Sequence, residues 1–382
     1  MSWAAALGLM AVAIWLYLLV ARGGFWLAGE RDDRDVLPEP ERWPSVAAIV
    51  PARNEADVIA RSIASLTRQD YPGAFRVVLV DDGSDDGTAA AALAVGGPRL
   101  EVLRGSALPA GWTGKVWAQQ HGVQHATITG QTPDYLLLTD ADIGHAPDSL
   151  RFLVARAESR RFVLVSLMAE LSCRSWAERL LIPAFVFFFQ MLYPFAWVAD
   201  QNRKLAAAAG GCMLVRREAL EKGGGMASIR SDIIDDCALA RRLKAQGPIW
   251  LGLTRRATSL RPYGGLRDIG RMVSRSAYAQ LDYSPLLLAG TVAGMTITYL
   301  APVLLAVFGS GLAWAAGLCA WLLMAAAFQP MLRFYRVSPL WGLALPAIAA
   351  AYTLFTLQSA VEVWRGRGGM WKGRAQAMVS ES

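Results

Sequence analysis

The apolar run Tyr135-Leu136-Leu137-Leu138 stops at Thr139-Asp140-Ala141-Asp142. Side chains alternate across a strand, so Asp140 and Asp142 are expected on one side. Two carboxylates so placed repel unless a cation lies between them. Oxygen ligands of this kind suit Mg2+ or Mn2+, ions that also bind phosphates. Taken alone, the same spacing is what a solvated turn carries. Other polar clusters end apolar runs in the same way: Pro51-Ala52-Arg53-Asn54-Glu55 and Asp81-Asp82-Gly83-Ser84. Lys115 follows Gly114, and Asp235-Asp236 opens an amphipathic stretch with Leu239 and Leu243 on one face. Acids at a helix start are also favoured by the helix dipole alone, and Asp-Gly-Ser also favours turns.

The elements that must position these residues read as alternating strands and helices. Val46–Val50, Arg76–Val80, Leu100–Leu103 and Tyr135–Leu138 are predicted strands. Asn54 is a candidate N-cap for a helix through Val58, Ile59, Ile63 and Leu66. This alternation predicts an α/β fold with a mostly parallel, Rossmann-like sheet, in which ligands bind beyond the carboxyl ends of strands. Dinucleotide and P-loop signatures are both missing. No Gly-x-Gly-x-x-Gly follows the first strand, and Val116 stands where Gly114-Lys115 would need Ser or Thr. Val163–Leu167 is a further predicted strand, and Gly210-Gly211 opens another, where backbone can approach a ligand closely.

Of the 382 residues, 54% are hydrophobic and only 18% charged, which points to membrane segments. Residues 1–28 read as an uncleaved N-terminal anchor around the uncharged run Trp3–Val20. Residues 29–44, with Arg31, Asp32, Asp33, Arg34 and Asp35, read as an extended, solvated linker. A domain at 45–282 follows, divided into a nucleotide-sugar half (45–145) and an acceptor half (146–282). The aromatic segment 180–199 is either interfacial or a buried core helix. Apolar membrane segments occupy 283–363, and 364–382 is a basic tail. Arg22, Arg31 and Arg34 after the first run place that side, and the catalytic domain, in the cytoplasm. The basic tail wants the same side. Pro339–Val361, interrupted by Pro346, is therefore the candidate for a re-entrant or interfacial segment. The net charge of +7 suits anionic lipid headgroups, and no dense Lys/Arg stripe with aromatics suggests nucleic acid. The four cysteines show no Cys-x-x-Cys spacing, and reduced thiols are expected.

Pro51–Glu55, Asp82-Gly83-Ser84 and Asp140-Ala141-Asp142 together resemble the nucleotide-sugar signature of family 2 glycosyltransferases with the GT-A fold. Gly111-Trp112-Thr113-Gly114-Lys115 is similar to the ceramide glucosyltransferase branch and, more closely, to bacterial hopanoid-biosynthesis-associated glycosyltransferases. The resemblance extends to the anchor, the C-terminal apolar segments and Trp371-Lys372-Gly373-Arg374. It implies that Pro51, Arg53, Asn54, Glu55 and Asp82 hold a uridine nucleotide. Asp142, with Asp140, would hold Mg2+ or Mn2+ and the ribose–diphosphate, and Lys115 would reach the diphosphate. Asp235-Asp236-x-x-Leu239 matches the family's Glu-Asp-x-x-Leu, which makes Asp236 the general base. The family's Gln/Arg-x-x-Arg-Trp is altered to Met272-Val273-Ser274-Arg275-Ser276, leaving Arg275 alone to aid the diphosphate. Arg271 and Arg275 would equally suit lipid phosphates.

The sequence thus reads as a membrane-anchored, inverting, metal-dependent glycosyltransferase at a bacterial inner membrane. It would pass a sugar from a UDP-sugar to a lipid acceptor in hopanoid or related lipid biosynthesis. Two other readings remain at this stage. A processive polysaccharide synthase wants a longer channel-forming region and the intact arginine motif. A non-catalytic nucleotide-sugar-binding scaffold is allowed by the altered one.

Overall fold

The computed structural model describes residues 2–366 and, as backbone only, residues 370–371 and 374–375. The rest of the basic tail, including Arg367, Lys372 and Gly373, lies outside the described residues. The chain divides into two compact units, each built from several chain segments. One comprises Glu30–Ser172, Trp197–Arg261 and Met370–Ser382. The other comprises Met1–Gly29, Cys173–Ala196 and Pro262–Gly369. Segments 173–196 and 262–282, which the sequence suggested as parts of the catalytic domain, are thus packed with the apolar helices.

The first unit is built on one sheet. Its strands are β1 (Val46–Ala52), β2 (Phe75–Asp81), β3 (Leu100–Arg104), β4 (Tyr135–Thr139), β5 (Ile143–His145), β6 (Leu164–Glu170), β7 (Cys212–Arg216) and β8 (Ile249–Ser259). They lie in the order β3-β2-β1-β4-β7-β6-β8-β5. Only β7 and β5 run against the others. Central β1 and β4 are buried at every residue, which is why they read as unbroken apolar runs. Pro51 pairs with Val80 of β2 but lies beyond Ile49–Leu138, the last β1–β4 pair, so its missing N–H falls where β1 has one partner strand. The helices Ile59–Thr67, Thr88–Gly96 and Gly114–Ile128 connect successive strands. The last lies so close to the sheet that a Cβ on Gly122 would meet Ile49 Cγ2 at 2.5 Å.

Three local expectations change. The linker 29–44 is not solvated throughout. Trp250 Nε1 donates to Glu30 at 2.8 Å, Arg31 bridges to Leu253, and Asp32 is buried against Thr254 and Arg256. β8 offers these partners, so the chain takes them rather than leaving the polar groups in water. Asn54 is not an N-cap. The helix begins only at Ile59, and Asn54 sits at φ 51° in the left-handed region, where Asn is among the few residues tolerated. Asp140 and Asp142 lie not in a strand but in the turn between β4 and β5. Ile143 N–H donates to Asp140 C=O there, and Ala141 is buried between the two half-buried acids.

The second unit is helical. Four of its helices are long and apolar enough to cross a membrane: Trp3–Ala21, Pro285–Phe308, Gly311–Phe334 and Pro339–Trp364. Small residues let them approach. A Cβ on Gly8 would meet Ala316 Cβ at 2.9 Å, and one on Gly317 would meet Pro302 O at 2.7 Å. Pro285–Phe308 contains a π-turn at Thr296–Leu300. Trp15 Nε1 donates to Thr298 C=O there at 3.0 Å, and its ring stacks edge-on against Tyr299. The aromatic segment is split into helices Trp176–Leu192 and Phe195–Ala199. Leu181, Ile182, Val186 and Phe187 of the longer helix are buried, and Phe187 packs on Phe328. Those side chains serve packing within this unit.

Candidate active site

Strand ends and strand starts meet along one edge of the sheet. The carboxyl ends of β1, β2, β4 and β8 lie there, as do the starts of antiparallel β5 and β7. Every residue described next, unless stated otherwise, belongs to the sheet unit.

The loops after β1 and β2 are laced together. Asn54 N–H donates to Ser84 Oγ at 3.0 Å, and Asn54 Oδ1 accepts from Asp85 N–H at 3.1 Å. Glu55 N–H donates to Thr88 Oγ1 at 2.8 Å, and Ala56 N–H to Asp86 Oδ2 at 3.0 Å. The Arg53 guanidinium donates to Asp82 C=O and lies 3.9 Å from its carboxylate. The residues expected to hold a nucleotide are therefore brought together, with Asp82 and Glu55 buried.

Lys115 is the second residue of its helix. Its Nζ lies 2.9 Å from Asp140 Oδ1 and 3.2 Å from Asp235 Oδ2. Asp140 and Asp235, 95 positions apart in sequence, are thereby tied to one ammonium group. Burial alone would depress the lysine, but the surrounding Asp140, Asp235 and Asp236 hold it firmly protonated.

Asp235 and Asp236 are the first two residues of the helix Asp235–Lys244. Asp236 Oδ2 accepts from Gly210 N–H at 2.9 Å, and Oδ1 from Cys237 N–H at 2.7 Å. Each oxygen keeps a lone pair for a further partner. Burial, and then the charge of Asp235, pushes the Asp236 carboxyl up to about 6 against the opposing pull of Lys115. Gly210 is needed here for space. A Cβ would stand 3.2 Å from Lys115 Nζ and 3.4 Å from Asp236 Oδ2.

Asp142 is also pushed up to about 6, by burial first and then by Asp140 and Glu55, while Arg261 opposes the shift. Arg261 follows β8 and carried no signal in the sequence. It pairs with Glu55, with Asp57 at 3.1 Å and with Asp142 at 3.8 Å. Backbone register puts it there: Ile143 pairs with Ser259, and Leu260 N–H donates to Asp142 C=O at 2.8 Å. Behind the acids, buried His145 meets Thr139 Oγ1 at 2.9 Å. Thr139 gives its own proton to Gly211 C=O, and burial pulls the imidazole down to about 4, so it is neutral and donates from Nε2. Arg275 lies in the other unit. It is exposed on the helix Leu266–Ala277 of the helical unit.

A divalent cation fits the donor set in a restricted way. Among the described residues no group of three or more acidic, His or Cys side chains is arranged around one ion position. Asp140 and Asp142 nevertheless offer carboxylates whose mutual repulsion a cation would relieve. One or two carboxylates completed by phosphate oxygens and water is the usual protein share of an Mg2+ site.

A mixed α/β sheet with its acids along this edge has the GT-A architecture. The fold is shared with a mannosyltransferase from Pyrobaculum calidifontis solved with GDP-Man and Mn2+. That likeness covers 95% of this chain and 99% of the other, at 20% identity and a TM-score of 0.55. Residues 47–224 match the family model described as Glycosyl transferase family 2. An N-acetylglucosaminyltransferase of Mesorhizobium japonicum is 31% identical over 48% of this chain and 42% of its own length. One from Rhizobium leguminosarum bv. viciae is 29% identical over 46% and 40%. The chain thus spans less than half the length of these relatives.

Proposed function

We propose that the protein is a membrane-anchored, inverting glycosyltransferase that moves a sugar from a nucleotide sugar, foremost a UDP-sugar, to a lipid hydroxyl. The observation that carries this reading is the acid cluster at the sheet edge, where Lys115 joins Asp140 of the turn after β4 to Asp235, beside Asp236. Pro51, Arg53, Asn54, Glu55 and Asp82 would line the nucleotide. Asp236 would take the proton of the acceptor hydroxyl as its oxygen attacks the anomeric carbon. The bond from that carbon to the diphosphate oxygen breaks on the opposite face, and the nucleoside diphosphate leaves. Lys115 would stabilise the charge that develops on the leaving group. Mg2+ or Mn2+ held by Asp140 and Asp142 would supply further charge neutralisation there. Resemblance to the hopanoid-associated branch supports a polycyclic lipid acceptor, and the four apolar helices support a bacterial cytoplasmic-membrane enzyme with its site facing the cytoplasm.

The test uses membranes containing the protein, extracted bacterial lipid and radiolabelled UDP-glucose or UDP-N-acetylglucosamine. A single labelled lipid is expected. Labelled polymer would instead indicate a processive synthase, and binding without turnover a scaffold. Asp236→Asn should abolish transfer while nucleotide binding stays near normal. Because Asp236 acts only when ionised, kcat/KM should rise with pH through about 6. An Asp236→Asn variant with full activity removes it from this role.

A further inference from the structure

Arg261 is the only cation that the described ion pairs place on Asp142, and it is shared among three carboxylates: Asp142, Glu55 and Asp57. Its place is set by backbone, not by chance contact. Antiparallel β5 and β8 hold Ser259 opposite Ile143, Leu260 N–H is bonded to Asp142 C=O, and Arg61 donates to Leu260 C=O at 3.2 Å. The backbone position from which the guanidinium reaches these acids is therefore a fixed property of the fold. On the other flank Lys115 does the same for Asp140 and Asp235. The two acids of the turn thus divide their counter-charges, Asp140 with the lysine and Asp142 with the arginine.

We propose that Arg261 is a built-in counter-ion that stands in for the divalent cation on Asp142 and yields Asp142 when the cation arrives. This rests on the reading that Asp140 and Asp142 take the cation. The geometry favours such an exchange. The Asp142 contact, at 3.8 Å, is the longest of the three, whereas Glu55 and Asp57 hold the guanidinium closely and would retain it after Asp142 is given up. Arg261 is thus a positioning residue with two consequences. It keeps the acid edge folded without metal, and it makes the bare protein a weak metal binder, so that cation and nucleotide diphosphate are favoured together over the cation alone.

The test is Mn2+ binding to the detergent-solubilised full chain without nucleotide, followed by the paramagnetic resonance of free Mn2+. Arg261→Gln is expected to bind Mn2+ at least about tenfold more tightly than wild type, and to melt at lower temperature without Mn2+ but regain most of the loss when Mn2+ is added. A merely structural role would lower the melting temperature and leave Mn2+ affinity unchanged or weaker, and that result overturns the proposal, as does no measurable binding by either protein. Combining Arg261→Gln with Asp142→Asn should erase the gain. If Asp142→Asn alone binds Mn2+ as wild type does, the metal role of Asp142 fails, a different outcome from failure of Arg261 alone. Should Arg261→Gln not fold, Arg261→Lys decides: a smaller gain in Mn2+ affinity supports the exchange, and no gain overturns it.

Discussion

Asp142 is held in a state that a carboxylate in water avoids. Burial, Asp140 and Glu55 all disfavour its charge, and Arg261 offsets them only in part. An acid whose folded value is raised adds stability below its ordinary value near 3.8 and loses that stability as pH rises through about 6. The ionised Asp142 carboxylate is therefore disfavoured by its surroundings in the metal-free protein at neutral pH. Asp142→Asn should raise the melting temperature of the metal-free protein at pH 7.5 and leave it little changed near pH 4, as thermal denaturation followed at both values would show. Gly210 makes the opposite case, since a side chain there would press on Lys115 and Asp236. Gly210→Ala should lower kcat by about tenfold or more with a small change in melting temperature, because it displaces the pair and not the core. Equal losses in both measurements would argue against that account.

Among the elements, the helix Gly114–Ile128 carries the placement of Lys115, and its seat on the sheet depends on one absent side chain. Gly122→Val would drive its side chain into Ile49 and Val80, at a cost of about 2–3 kcal/mol for overpacking. Denaturant unfolding should show that loss, and Lys115-dependent nucleotide binding should weaken with it. β1, β2 and β4 were legible in the sequence because buried parallel strands read as continuous apolar runs. β8 was not, since Arg255 and Arg256 interrupt it, and β5 spans only three residues. Arg261 was invisible for a related reason. Its partner Glu55 lies 206 positions away, and nothing local marks an arginine that will close an acid cluster. Asp140 and Asp142 could be picked out by type and spacing, and Lys115, Asp235 and Asp236 by the family resemblance, yet the pairing of Lys115 with both Asp140 and Asp235 needs the folded sheet. The linker was misjudged because its charged composition describes water equally well whether or not a strand edge waits to receive it.

At the scale of the whole molecule, each unit is assembled from separate stretches of the chain, so neither unit is a contiguous cassette. Segment 173–196 lies between β6 and β7 in sequence yet packs with the apolar helices. The four long apolar helices predict integral membrane behaviour. The protein should stay in the membrane pellet after an alkaline carbonate wash and enter solution only with detergent; release by carbonate would reduce it to a peripheral association. The hydrogen bonds that lace Asn54, Glu55 and Ala56 to Ser84, Asp85, Asp86 and Thr88 carry a consequence for how such a chain can change over generations. The two loops bind each other through particular side chains, so neither can drift alone. A library that randomises position 54 together with positions 84 to 88 should recover functional combinations that no single change reaches, and the tolerated letters at these positions should covary.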